Sequence, residues 1–277
     1  MKDVNQCWFA DDSAAVGDAK ALGVFMARLQ EIGPAYGYFP ESEKSTVIAA
    51  KEDGEMVKQV VGGDVSVKSG SRYLGTFVGD ECERDQWVIT KVEQWRKELQ
   101  NLIAVAKREP QAAYCLFTKA LSAKWTYIQR VCPGVGHLFQ PLEDLITSEF
   151  IPVLAWSDTD GVMRDDYRRI FSWSVHEGGA GLRDPIETAD RQYGSSVLAT
   201  SVLVKAIKEK EELSIERHEE ECRHVRQRGR TRQAEEDADE RRAILDRISG
   251  PQARAVERAP KTGRGSQLRP VLSTLLF

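Results

Sequence analysis

The chain has 277 residues, 41% of them hydrophobic and 30% charged, which is enough for one large domain or two small ones and excludes a wholly disordered polymer. The formal net charge of −4 argues against a uniformly basic nucleic-acid binder. The start, MKDVNQ, has no apolar run of a secretory leader, no stretch approaches the length that spans a bilayer, and Cys7, Cys82, Cys115, Cys132 and Cys222 are scattered without a CxxC pair. These features predict an intracellular protein, cytoplasmic or nuclear, that is neither secreted nor bound to a membrane.

In chain order, residues 4–10 (VNQCWFA) read as a strand and 13–16 as its short return, with Asp11-Asp12 at the junction. Apolar positions 22, 25, 26 and 29 predict a helix over 18–33, capped by Asp18 and closed by Gly33-Pro34. Residues 45–50 read as a strand and 53–61 as a short helix. The alternation in 65–79 predicts a second hairpin turning at Ser69-Gly70-Ser71. The first eighty residues are therefore expected to be mixed α and β.

After residue 80 the pattern becomes helical. Val88, Val92, Trp95, Leu99 and Leu102 form one stripe of a helix over 81–108, which Pro110 breaks. A second helix is predicted over 111–131, stopped by Pro133-Gly134. A third covers 137–154, interrupted at Pro141 and Pro152. The glycine-rich HEGGAGLRDP (176–185) lacks the Gly-Lys-Ser/Thr ending of a phosphate loop and reads as a connector. Helix returns over 185–210. From 205 to 249 the chain is densely charged, as in a solvated or partly disordered helix, and the apolar VLSTLLF after it reads as a cut-short end. The class expected is α+β, divided into 1–79, 80–155, 156–204 and 205–277.

Charge is unevenly distributed. Residues 91–130 carry eight basic side chains against three acidic ones, with Trp95, Tyr114, Phe117, Trp125 and Tyr127 interleaved. Basic groups neutralise phosphates and aromatic faces stack on bases, although an amphipathic helix pair with its aromatics in the core has the same pattern. His218, Cys222 and His224 lack a nearby fourth ligand for zinc and read as part of a charged, solvated helix.

The aspartate pair carries the strongest chemical signal. Adjacent carboxylates repel, and a hard divalent cation with oxygen ligands relieves that repulsion. In phosphoryl transfer such ions activate a hydroxyl and stabilise the leaving oxygens. A hydrated surface turn also suits Asp-Asp. The apolar approach of Cys7, Trp8, Phe9 and Ala10 to the turn tells against that plainer reading. Phe9-Ala10-Asp11-Asp12 resembles the Phe/Tyr-x-Asp-Asp signature of reverse transcriptases. GYFPESEKS (37–45) resembles the next palm motif, which ends in a lysine, here Lys44. SRYLGTFVG (71–79) resembles the primer-grip hairpin, with Leu74-Gly75 at its centre. Residues 112–130, 138–154 and 176–196 resemble the downstream part of retrotransposon-encoded reverse transcriptases.

The resemblance, over roughly residues 5–200, implies a partial polymerase palm (hairpin, helix, strand, hairpin), then a mainly helical thumb-like bundle and a long charged helix. It implies an RNA-directed DNA polymerase acting with two Mg²⁺ (or Mn²⁺) ions on an RNA template, a DNA primer and deoxynucleoside triphosphates. Asp11 and Asp12 would be catalytic metal ligands. Lys44 would sit near the incoming triphosphate and protonate the leaving pyrophosphate. Phe9 and Ala10 would lie against nucleic acid, Leu74 and Gly75 would position the primer end, and Lys91, Arg96, Lys97, Lys119 and Lys124 would track the duplex backbone. The family's third metal-binding aspartate, on an earlier palm strand, and its fingers have no counterpart before Phe9. The isolated chain is therefore expected to be an inactive fragment whose hairpin has an uncovered edge, and the missing N-terminal part of the polymerase is an expected partner. Two alternatives stay open: a non-enzymatic nucleic-acid-binding protein using 91–130 and the arginine-rich 223–232, and a helical interaction protein.

Overall fold

The computed structural model describes residues 4–9, 12–62, 64–155 and 165–247. The chain divides into two compact units, Met1–Trp87 and Val88–Phe277. Three two-stranded sheets lie among the described residues, all in the first unit, and the second is helical, so the class is α+β with helix predominant.

In the first unit, β1 (Asn5–Phe9) and β2 (Asp12–Val16) pair antiparallel from Asn5↔Val16 to Phe9↔Asp12. Helix α1 (Ala19–Ile32) starts where Asp18 accepts the Ala21 N–H at 2.8 Å, satisfying a donor that the first turn leaves open. Gly33-Pro34 ends it in a 3₁₀ turn, Gly33–Tyr36. Strand β3 (Thr46–Ile48), helix α2 (Gly54–Val61) and strand β4 (Ser66–Lys68) then form a β-α-β unit with parallel strands. Val57, Val61 and Val65 are its buried core, against Leu22 and Met26 of α1 and Val47 and Val67 of the strands. Apolar spacing on two helices and alternation on two strands thus converge on one small core.

The hairpin expected around Ser69-Gly70-Ser71 is corrected. Residues 66–68 belong to the parallel pair, which a helical crossover allows and a tight turn does not. The hairpin that follows is β5 (Gly70–Tyr73) with β6 (Thr76–Gly79), and it turns at Leu74-Gly75. Both turn residues have positive φ, 45° and 78°, as a two-residue hairpin loop of the type I′ class requires. Gly75 meets that demand without cost; Leu74 does not.

Helix α3 (Glu81–Ala106) contains the division between the units. In the second unit its predicted stripe is buried: Val88, Val92, Trp95, Leu99 and Leu102, joined by Ile103 and Ala106. Pro110 takes the first turn of α4 (Pro110–Leu116), where its missing N–H costs nothing. A π-helical stretch, Phe117–Leu121, carries α4 into α5 (Ser122–Val131), which stops at Cys132. The expected interruptions at Pro141 and Pro152 are corrected. Pro141 lies in the first turn of α6 (Gln140–Leu145), after a 3₁₀ turn at Gly136–Phe139. A second π stretch, Ile146–Phe150, leads into α7 (Ile151–Ala155), with the Ile151 N–H on the Ile146 carbonyl. Widening the helix just before Pro152 lets the backbone continue past a residue that cannot donate. The two π stretches meet in the core, where Phe117 stacks on Phe150 at 4.8 Å.

Helix α8 (Asp165–Ser172) is followed by the glycine-rich connector, which is packed inward: Ala180 and Leu182 are buried, and a Cβ at Gly179 would stand 2.4 Å from the Trp173 carbonyl oxygen. Helix α9 (Pro185–Ala199) is capped by Asp184 and breaks at Thr200 before α10 (Ser201–Glu209). Lys210, at φ 56°, closes α10, and Ser214 caps α11 (Ile215–Leu245). The solvated-helix reading of 205–249 holds for most of α11, while its partly disordered alternative is corrected over 215–245: the segment is helical throughout, packs along α9 and buries Val225, Asp237 and Ile244. The boundary at 155–156 and the tail with VLSTLLF fall at or in 156–164 and 248–277, outside the described residues. Among the described residues no helix is long and apolar enough to cross a membrane.

Candidate functional site

The β1–β2 register ends with Phe9 opposite Asp12. Ala10 and Asp11, and the side chains of Phe9 and Asp12, lie outside the described residues. The surroundings are defined. Tyr38 of the GYFPESEKS segment meets Trp8 edge-to-face at 5.3 Å, and its hydroxyl lies 3.5 Å from the Ser13 hydroxyl. Two of the segments singled out in the sequence therefore meet beside the position of the aspartate pair. No third strand joins this hairpin among the described residues, and Trp8 is 44% exposed. Val16, Tyr36 and Phe39 are exposed as well.

Lys44 ends a 3₁₀ turn, Ser42–Lys44, and its Nζ lies 2.7 Å from Glu41 Oε2. Both side chains are well exposed, so the pair holds the lysine weakly and a phosphate could take it over. Leu74 and Gly75 occupy the tip of the β5–β6 hairpin, with Leu74 42% exposed. Below them Phe77 packs on Trp87 at 6.0 Å, and Ser69 Oγ donates a short hydrogen bond to Glu83. Lys51 Nζ stands 3.8 Å from the same carboxylate.

The basic stretch divides by partner. Arg96 is forked onto Glu93 at 2.8 and 3.1 Å, which holds the Glu93 carboxyl below its ordinary range. Lys124 pairs with Glu98 at 2.6 Å, and Lys91 donates to Gln94 at 3.4 Å. Lys97 and Lys119 are exposed without an ion pair among the described residues. The reading that places the aromatics in the core of an amphipathic helix pair holds for three of them. Trp95, Phe117 and Trp125 are core residues, packed on one another and on Phe139 and Phe150. Tyr114 donates to the Ala180 carbonyl at 2.7 Å, and burial pushes its hydroxyl pKa up. The helices turn apolar rings inward and leave the charges outside.

A polar cluster that the sequence did not single out lies among α8, the connector, α9 and α11. Arg168 grips Glu143 at 2.5 and 2.7 Å and also donates to the Leu182 carbonyl, with both ionic side chains largely buried. Asp237, 3% exposed, accepts from both Nη atoms of Arg183 at 2.7 Å, from the Ser174 N–H at 3.0 Å and from Gln233 at 2.8 Å. Those donors outweigh burial and lower its pKa. The available signal was the spacing of Glu236, Asp237 and Glu240 within AEEDADERR, which puts all three on one helix face. On the same helix Cys222 Sγ lies 3.8 Å from His218 Nε2 and donates to the Ala199 carbonyl. Among the described residues no three His, Cys, Asp or Glu side chains converge as a metal ion would need.

Compared with protein-family models, with curated proteins and with solved structures, the chain has no match.

Proposed function

We propose that the chain is the C-terminal part of a retrotransposon reverse-transcriptase palm followed by its thumb and downstream region, serving template-directed nucleotidyl transfer. Asp11 and Asp12 would hold catalytic Mg²⁺ at the hairpin, Lys44 would meet the triphosphate, and the Leu74-Gly75 turn would support the primer end. The chain would contribute a site that is completed only by an earlier aspartate-bearing strand, so alone it would not polymerise. The supporting observation is the meeting of Tyr38 with Trp8 and Ser13, which sets the lysine-ended segment beside the β1–β2 hairpin. The positive-φ turn at Leu74-Gly75 also suits a hairpin tip presented to a ligand.

The test is the coding sequence directly upstream of Met1, with the 5′ end of the transcript. The expected result is an open frame encoding an aspartate-bearing strand and a fingers region. An open frame encoding neither overturns the reading. A second reading, a non-enzymatic nucleic-acid binder, is favoured by the exposed Lys97 and Lys119, which make no ion pair within 4.0 Å among the described residues. Salt-sensitive binding of a hybrid duplex that needs these lysines and no divalent metal would support it.

A further inference from the structure

The acidic face of α11 lies in a crevice lined by arginines from three successive stretches: Arg169 on α8, Arg183 in the connector and Arg191 on α9. Each arginine is met by a carboxylate of α11, and Arg169 is met more closely by Glu187 of α9, whose Oε1 accepts from its Nη1 at 2.5 Å. Arg183 is forked onto Asp237, Arg191 Nη1 lies 2.9 Å from Glu236 Oε2, and Arg169 Nε lies 3.6 Å from Glu240 Oε1. The apolar part of this contact is small: Ile244 packs against Ile170 and Trp173. The docking therefore depends heavily on charge-assisted hydrogen bonds, and the guanidinium fork that fits a carboxylate fits a phosphate as well. Arg169 is 45% exposed and Arg191 32%, so the row reaches the surface at the edge of α11.

We infer that Arg169, Arg183 and Arg191 form a second binding surface for a nucleic-acid phosphate backbone, which Glu236, Asp237 and Glu240 of α11 occupy in cis, with Glu187 of α9 sharing Arg169. Nucleic acid and α11 compete for the same arginines, so α11 restrains binding until it is displaced. This rests on nucleic acid being the ligand, as in the reading above. The preceding turns of α11, from Arg223 to Arg232, are arginine-rich and would join the basic surface on release.

The experiment measures fluorescence anisotropy of a labelled RNA–DNA hybrid of about 20 base pairs with the full chain. The variant E236Q/D237N/E240Q is expected to bind about tenfold tighter than wild type, as when a competent fraction of about a tenth rises to nearly all. Adding R169Q and R191Q is expected to remove the gain. Unchanged affinity, or a gain that survives loss of the arginines, overturns the inference. Because the triple variant could loosen the fold, hydrogen exchange on the wild type gives an independent reading. Saturating hybrid should lower the protection of amides 233–245, and protection that stays or rises overturns the inference. Binding by wild type through Lys97 and Lys119, with no gain in the triple variant, sinks this inference alone. Absence of binding by wild type and variant alike sinks the nucleic-acid ligand with it.

Discussion

Replacing Asp237 by alanine removes a buried and heavily bonded carboxylate of the second unit. It accepts four hydrogen bonds, two of them from Arg183, and is 3% exposed. Breaking a buried ion pair from one side costs about 3–5 kcal/mol, because the remaining charge is left without its partner. The Arg183 side chain is 29% exposed and can recruit water, so the lower end applies, about 3 kcal/mol. Urea denaturation followed by far-ultraviolet circular dichroism reads this loss. Arg183→Met with Asp237→Leu, which removes both charges, should restore most of it, leaving a deficit of about 1 kcal/mol. A loss below about 1 kcal/mol for Asp237→Ala would refute the reasoning, since ordinary hydrogen bonds would then account for it and the packing of Ile244 would hold α11.

Other outcomes are equally specific. Asp237 has a lowered folded pKa, so its contribution is present above the ordinary carboxylate range and lost as pH falls through the depressed folded value; melting temperature against pH should show that loss, and Asp237→Asn should flatten it. Asp184 behaves oppositely: burial and then the Glu143 charge raise its pKa, so its ionised form costs stability at neutral pH, and protonation as pH falls through the raised value relieves that cost. Asp184→Asn keeps a capping oxygen and should melt no lower than wild type at pH 7, whereas Asp184→Ala should lose about 1 kcal/mol. Leu74→Asn should stabilise the β5–β6 hairpin by about 0.5–1 kcal/mol in denaturant titration, because asparagine tolerates the φ of 45° that leucine resists. Gly179→Ala should cost about 3 kcal/mol, since its Cβ meets the backbone oxygens of Trp173 and Ile170 at 2.4 and 2.5 Å.

Where local chemistry decided the structure, the sequence was legible. Asp18 caps α1 because an aspartate before an apolar periodic run has a nearby N–H to accept, and the α3 stripe is buried because its spacing follows the helix. Long-range pairing was not legible. Residues 66–68 alternate like a hairpin arm, yet their partner is Thr46–Ile48, across a helix, and alternation cannot name a partner. Pro141 and Pro152 read as breaks because the π turn that accommodates Pro152 leaves no mark in composition. The charged helix α11 read as solvated because its few core contacts are outnumbered; its anchor, Arg183, is 54 positions from Asp237. At the candidate site, the motif order was visible in the chain, whereas the contact of Tyr38 with Trp8 and Ser13 required the fold. The basic–aromatic interleaving fits an amphipathic helix pair, because rings on the inner face and charges on the outer alternate in sequence without sharing a surface.

The most direct measurement is primer extension on an RNA template with Mg²⁺, comparing the 277-residue chain with the longer protein that an open frame upstream of Met1 would encode. The account predicts no extension by the shorter protein, extension by the longer one, and its loss in both Asp11→Asn and Asp12→Asn. Extension by the longer protein that survives both substitutions would contradict it.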